Sequence, residues 1–171
     1  LLNKSIKSKF LKDSKNLNNM EILIDTREQT PLKFSNSKSH KLDFGDYTAS
    51  GDYYNKTYVD RKSETDFKST MTVGFERFKK ELERAKKFDS FMYIVTESSI
   101  DKIINNNSFG AHKSNLKFVW HQMRILSHEF ARHCQFIFSG GRNRSQNLIP
   151  KLLEAGEEMW HSDVQYYIDK R

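Results

Sequence analysis

The sequence predicts an α/β domain: a mixed central β-sheet flanked by helices. Three observations carry this. Short continuous apolar runs stand at Ile22-Leu23-Ile24, at residues 91–96 and at residues 134–139, the pattern of strands buried on both faces. Between them, apolar residues recur at three- and four-residue steps. Early in the chain, two strand-like segments, 41–50 and 57–62, flank the turn sequence Ser50-Gly51-Asp52. A hairpin followed by alternating helices and strands gives a sheet of mixed direction with helices layered on it.

Each element follows from its residues. The first strand ends on Asp25, and residues 26–38, which hold Pro31, read as a loop. Segments 41–50 and 57–62 read as the strands of the hairpin. From Ser63 the period changes, and Met71, Phe75, Phe78, Leu82 and Ala85 trace one helix with a single apolar stripe. Its other faces carry Arg77, Lys79, Lys80, Arg84, Lys86 and Lys87. Residues 91–96 are a strand and 98–104 a short helix, and Asn105-Asn106-Asn107 opens a loop to Ser114. Residues 115–133 read as a long helix with Val119, Trp120, Met123, Leu126 and Phe130 inward. After the strand at 134–139, Gly140-Gly141 turns into a helix bearing Leu148, Ile149, Leu152 and Leu153, where Pro150 is expected to kink the axis. Residues 157–171 read as a last helix.

A chain of 171 residues suits one ordinary domain. Residues 1–19 stand apart, with five lysines against one acid, Asp13. They are expected to be a basic, disordered arm or one that adds phosphate contacts, ahead of a folded domain over residues 20–171. A formal net charge of +7 points to a polyanionic partner, nucleic acid first. No apolar run approaches the roughly 20 residues that span a bilayer, and the start has no signal-peptide pattern, so an intracellular protein without a membrane is expected. The one cysteine, Cys134, excludes a disulfide framework and a Cys-rich zinc site and reads as a core thiol. Six scattered histidines without an HxxxH pair offer no histidine metal site.

The chemistry concentrates between Asp46 and Asp66. Asp60-Arg61-Lys62 has the form (D/E)-x-K on a predicted strand, where residues two apart share a face. Asp60 and Lys62 then project together and Arg61 points away, while Asp46 on the partner strand brings a second carboxylate. Two carboxylates and an amine suit phosphodiester hydrolysis. The acids hold Mg²⁺ or Mn²⁺, which activates water, and the lysine orients that water or neutralises the phosphate. Asp25, where the first apolar run meets a charge, is a candidate further ligand. On spacing alone the same pattern fits a hairpin with cross-strand charge pairs. Gly140-Gly141-Arg142-Asn143-Arg144, ahead of a helix, reads equally as a phosphate-holding loop or a plain turn.

Longer motifs carry a resemblance. Ile24-Asp25-Thr26-Arg27-Glu28 is similar to V-D-x-R-E, and Gly45-Asp46 followed by Asp60-Arg61-Lys62-Ser63-Glu64-Thr65-Asp66 is similar to G-D-xₙ-E-R-K-x₃-D. Gly45-Asp46 is preferred over Gly51-Asp52, which sits where the hairpin turns. Together they resemble the XPF-type structure-specific endonuclease domain, a branch of the PD-(D/E)xK nucleases, and the match extends through Gly74-Phe75-Glu76-Arg77-Phe78 and the strand at 92–96. The resemblance implies a restriction-endonuclease-like fold and metal ligation by Asp25, Asp46 and Asp60, with Lys62 as the catalytic lysine. It also implies support from Arg27, Glu28, Arg61 and Asp66. Arg77, Lys80, Arg84, Arg142 and Arg144 are the expected DNA contacts. The family's usual Glu of E-R-K is Asp60 here. Its usual helix-hairpin-helix modules have no room after Leu153, so a stand-alone nuclease domain is expected, with a separate partner protein one source of branch recognition. The implied substrate is branched or flapped DNA; the resemblance, together with apolar residues on more than one face of the 115–133 helix, implies a homodimer through the helix and strand after Asn115 and the segment around Leu148 to Leu153. A junction resolvase, a restriction-type nuclease and a non-catalytic DNA-binding subunit are the alternatives.

Overall fold

A computed structural model describes residues 17–109 and 113–170. Six strands form one sheet: β1 (Ile22–Asp25), β2 (Ser37–His40), β3 (Tyr47–Ala49), β4 (Thr57–Lys62), β5 (Phe91–Thr96) and β6 (Cys134–Phe138), in the spatial order β2-β1-β3-β4-β5-β6. The β1–β3 and β3–β4 pairs are antiparallel, and β1–β2, β4–β5 and β5–β6 are parallel. This is the mixed, helix-flanked sheet that the sequence predicts. All six residues of β5 are buried, as expected of a continuous apolar run in the middle of a covered sheet.

Helices cover both faces. On one lie α1 (Glu64–Thr70), α2 (Phe75–Lys87), α3 (Ile100–Phe109) and α4 (Leu116–Glu129), and on the other α5 (Arg142–Ala155), α6 (Glu157–Trp160) and α7 (Val164–Asp169). Each face has its own core. Phe67, Phe78, Leu82, Ile94, Val119 and Leu126 pack under the first set. Tyr47, Val59, Tyr93, Ile149, Leu152 and Leu153 pack under the second. Among the described residues, no helix is long and apolar enough to cross a membrane.

Several elements differ from the expectation. Strand β2 lies where a loop was predicted; all four of its residues are exposed and polar, so it carries no apolar signal and joins the edge through backbone pairing with β1. The strand expected over 41–50 shrinks to β3, because Gly45 takes a left-handed φ of 69° that an extended strand does not tolerate. The single helix expected from Ser63 is two, α1 and α2, interrupted at Thr72-Val73-Gly74. Its apolar stripe runs across the break because Met71 and Phe75 enter the same core. Helix α3 runs through the Asn triplet to Phe109, and α5 continues through Pro150. The tail is two short helices, the second capped by Asp163.

Residues 1–16 of the expected arm lie outside the described residues. Leu17–Asn19 form a 3₁₀ turn, and Leu17 packs against the core beside buried Met20. The surface expected to join two copies is partly taken: Leu148, Ile149, Leu152 and Leu153 are buried in their own domain.

Candidate active site

Alternation along β4 sorts its residues. Tyr58, Asp60 and Lys62 face α1 and α2, while Val59 and Arg61 face the other side. Asp46 arrives from the turn before β3. Its N–H donates to the Val59 carbonyl at 2.8 Å, and its Oδ2 accepts the Arg61 N–H at 2.7 Å. Gly45 makes this possible: besides its φ, a Cβ there would lie 3.2 Å from the Val59 carbonyl oxygen.

The structure brings Asp46, Asp60 and Lys62 together. Lys62 Nζ lies 2.9 Å from Asp60 Oδ2 and 4.7 Å from the centre of the Phe78 ring. Both residues are at least nine-tenths buried. This ion pair engages that buried oxygen, which takes no further hydrogen bond among the described residues. A third carboxylate, Glu81 on α2, accepts the Gly45 N–H at 2.8 Å and feels the charge of Asp60. The motif reading does not include Glu81. Its trace in the sequence is the stripe Arg77, Glu81, Arg84, Phe88, at steps of four, three and four, which shares a helix face.

The charges here are poorly compensated. Burial, then the charge of Asp60, pushes the Asp46 carboxyl well above the usual carboxylate range. The same two causes raise Glu81. Burial works against the Lys62 ammonium, but the carboxylates of Asp60 and Asp46 outweigh it and its pKa rises. Three acids thus gather around one buried amine.

Asp25 sits at the margin with both oxygens engaged. Oδ2 accepts from Arg27 Nε at 2.6 Å and Oδ1 from the Leu42 N–H at 3.0 Å. Burial opposes its ionisation, yet these bonds prevail and lower its pKa. Arg61 turns away from the cluster. It meets Glu28 at 2.9 Å and Glu97 at 3.0 Å, with all three side chains nearly buried. Asp66 is exposed in the first turn of α1, where its N–H donates to Oγ of the N-cap Ser63 and its Oδ2 accepts from the same hydroxyl. Arg77, Lys80 and Arg84 are exposed on α2. Arg142 is committed to Glu97 and to the Thr30 and Pro31 carbonyls, and Arg144 folds back beneath Gly140.

Among the described residues, no three His, Cys, Asp or Glu side chains converge as a ready-made metal site. The chemistry of Asp46 and Asp60 nonetheless fits a hard divalent cation. The donors are carboxylate oxygens that outnumber the one ammonium among them, and Asp60 Oδ2 is buried with Lys62 as its contact.

The sequence matches the ERCC4 domain over residues 24–154, a span that contains all of these motifs. The fold is similar to that of XPF from Aeropyrum pernix, with a TM-score of 0.58 at 15% identity over 85% of this chain and 69% of that one. It is also similar to XPF from Aeropyrum pernix in complex with DNA, with a TM-score of 0.57 at 16% identity over 79% of this chain and 63% of that one. No curated protein matches the chain.

Proposed function

Because this chain belongs to the ERCC4 domain family, we propose that it is a DNA endonuclease that hydrolyses phosphodiester bonds with a divalent cation, Mg²⁺ or Mn²⁺. The observation that carries the reading is the buried group of Asp46, Asp60 and Lys62 on one sheet face, in which one ammonium faces two carboxylates. Asp46 and Asp60 would hold the ion, which when bound supplies Lewis acidity and lowers the pKa of a coordinated water. Lys62, kept charged by the two acids and steered by Phe78, donates to a phosphate oxygen as negative charge develops on it. Arg27 fixes Asp25, whose carboxylate in turn holds the Leu42 N–H and so the loop that carries Gly45 and Asp46. Arg77, Lys80 and Arg84 supply phosphate contacts along α2.

The similar fold of XPF from Aeropyrum pernix in complex with DNA supports DNA as the substrate, and branched or flapped DNA is the form the motifs favour. A protein that acts on such DNA would work inside a cell. The test is cleavage of labelled single-stranded, duplex, flap, fork and four-way DNA with Mg²⁺ or Mn²⁺. The expected result is cleavage of branched forms, reduced on the order of 100-fold or more by Asp60→Asn and by Lys62→Ala. Wild-type rates from Asp60→Asn would remove the site. Preference for four-way or linear DNA would favour a junction resolvase or a restriction-type enzyme, and binding without any cleavage a non-catalytic subunit.

The reading includes a second copy of the chain. Exposed Ile100 and Ile104 on α3 and Phe118 on α4 offer it apolar surface, in place of the buried Leu148 to Leu153 segment. A separate protein that supplies branch recognition is compatible with the same face. Light scattering at tens of micromolar should give twice the chain mass; a strict monomer that still cleaves DNA would remove the dimer alone.

A further inference from the structure

Helices cover the β4–β6 half of the catalytic face, but the β1–β3 half beside it is open. A cleft of about 340 Å³ lies there, and Leu23, Lys41, Asp43, Thr48, Tyr54 and Tyr58 are among the residues that line it. The register pairs Leu23 with Thr48 and Thr48 with Tyr58, so these three share the face that carries Asp60 two residues further along β4. Tyr58 is therefore roughly 7 Å from Asp60 along the strand.

Aromatic rings form a continuous shelf along this edge. Buried Phe44 packs against Tyr58 with centroids 4.4 Å apart and against Phe88 at 6.2 Å. Tyr54 stands edge-on to Tyr58 at 6.2 Å, and their hydroxyls meet at 3.0 Å. The outer rings are open: Phe88 is 55% exposed and Tyr54 46%. Phe88 closes the α2 stripe of Arg77, Glu81 and Arg84, and Arg84 lies close enough to Glu81 to draw on its charge. A cation thus stands between the carboxylates and the exposed ring, and Lys41 lines the cleft.

We propose that the Phe88, Tyr58 and Tyr54 shelf is a stacking site for an unpaired base of the DNA strand being cut, with Arg84 on the intervening phosphate. The proposal rests on the endonuclease reading above and narrows its substrate to DNA that presents single-stranded nucleotides beside the cut. Alternating cation and ring is how proteins hold a single strand irrespective of sequence, because every base has a π-face. A paired base has both faces occupied by its neighbours and cannot use the shelf. Asp43 also lines the cleft, but the cations Arg84 and Lys41 beside exposed rings suit a nucleotide better than an apolar protein segment, which has no use for the charge.

The test is binding of a single strand of about twelve nucleotides that carries 2-aminopurine, with chelator present so that nothing is cut. Wild-type protein should change the 2-aminopurine fluorescence on binding. The Tyr54→Leu/Phe88→Leu double variant should lose that change and bind the single strand roughly 5- to 100-fold more weakly. Its affinity for a duplex of equal length should stay within about twofold, because phosphate contacts carry that binding. Phe88→Trp should restore the signal, which distinguishes stacking from general damage to the fold. An unchanged signal and affinity in the double variant would overturn the stacking site while leaving the nuclease standing. Loss of self-association in that variant, with DNA binding intact, would overturn it in favour of a second copy as the occupant. A wild-type protein that neither binds nor cleaves any DNA removes the endonuclease reading itself.

Discussion

The two sides of β4 handle charge in opposite ways. Toward α5, Arg61 is nearly buried yet fully paired, between Glu28 and Glu97, and Arg142 ties Glu97 to the Thr30 and Pro31 carbonyls. Toward α2, Asp60 and Lys62 are equally buried and paired, but Asp46 and Glu81 compete for the same single ammonium. Neighbouring residues of one strand thus serve different ends. The paired side locks the 28–31 loop to the strand and the α5 terminus. The crowded side holds more carboxyls than cations, which a folded protein tolerates where a cation or a substrate completes it.

Thermal unfolding of Arg61→Met beside Asp46→Asn sharpens the contrast. Arg61→Met strands the buried Glu28 carboxylate and leaves Glu97 only its longer contact with Arg142, and should destabilise the domain by about 3–5 kcal/mol. Asp46→Asn removes a carboxylate that its surroundings disfavour and should leave the melting temperature unchanged or raised, although cleavage is lost. If both variants lose similar stability, the two sides of β4 do not differ in the way described.

A smaller effect separates Asp25 from the crowded acids. Its folded pKa is lowered, against an ordinary value of 3.8. The stability it contributes is therefore fully present above that value and lost as the pH falls through the lower folded one. Asp25→Asn should cost about 1–2 kcal/mol at neutral pH, and the gap from wild type should close below about pH 3.8. A gap that persists to pH 2 would mean that Asp25 acts through shape and not through its charge.

How much of this was legible in the sequence depends on where each signal resides. The strands at Ile22–Asp25, Thr57–Lys62 and Phe91–Thr96 announce themselves because burial on one or both faces imposes an apolar pattern on local sequence. Asp60 and Lys62 could be placed together because two-residue periodicity is a local property of any strand. The family motifs placed Asp46 correctly beside them. Edge strand β2 left no such mark, since its pairing is made by backbone and its side chains face water. The break between α1 and α2 was hidden because the apolar stripe continues across it into one core.

The sequence by itself determined the α/β layering, the basic character, and the acids and lysine on β4, because these follow from composition and from periodicities a few residues long. Only the tertiary structure decided which charges face one another. Glu81 reaches Gly45 across 36 residues, Arg61 meets Glu28 across 33, and Asp25 is taken up by the Leu42 backbone across 17. The Phe88 shelf likewise depends on where the end of a helix meets a turn before β3. Pairing of this kind is set by sheet register and helix docking, and the packing of the whole core fixes both.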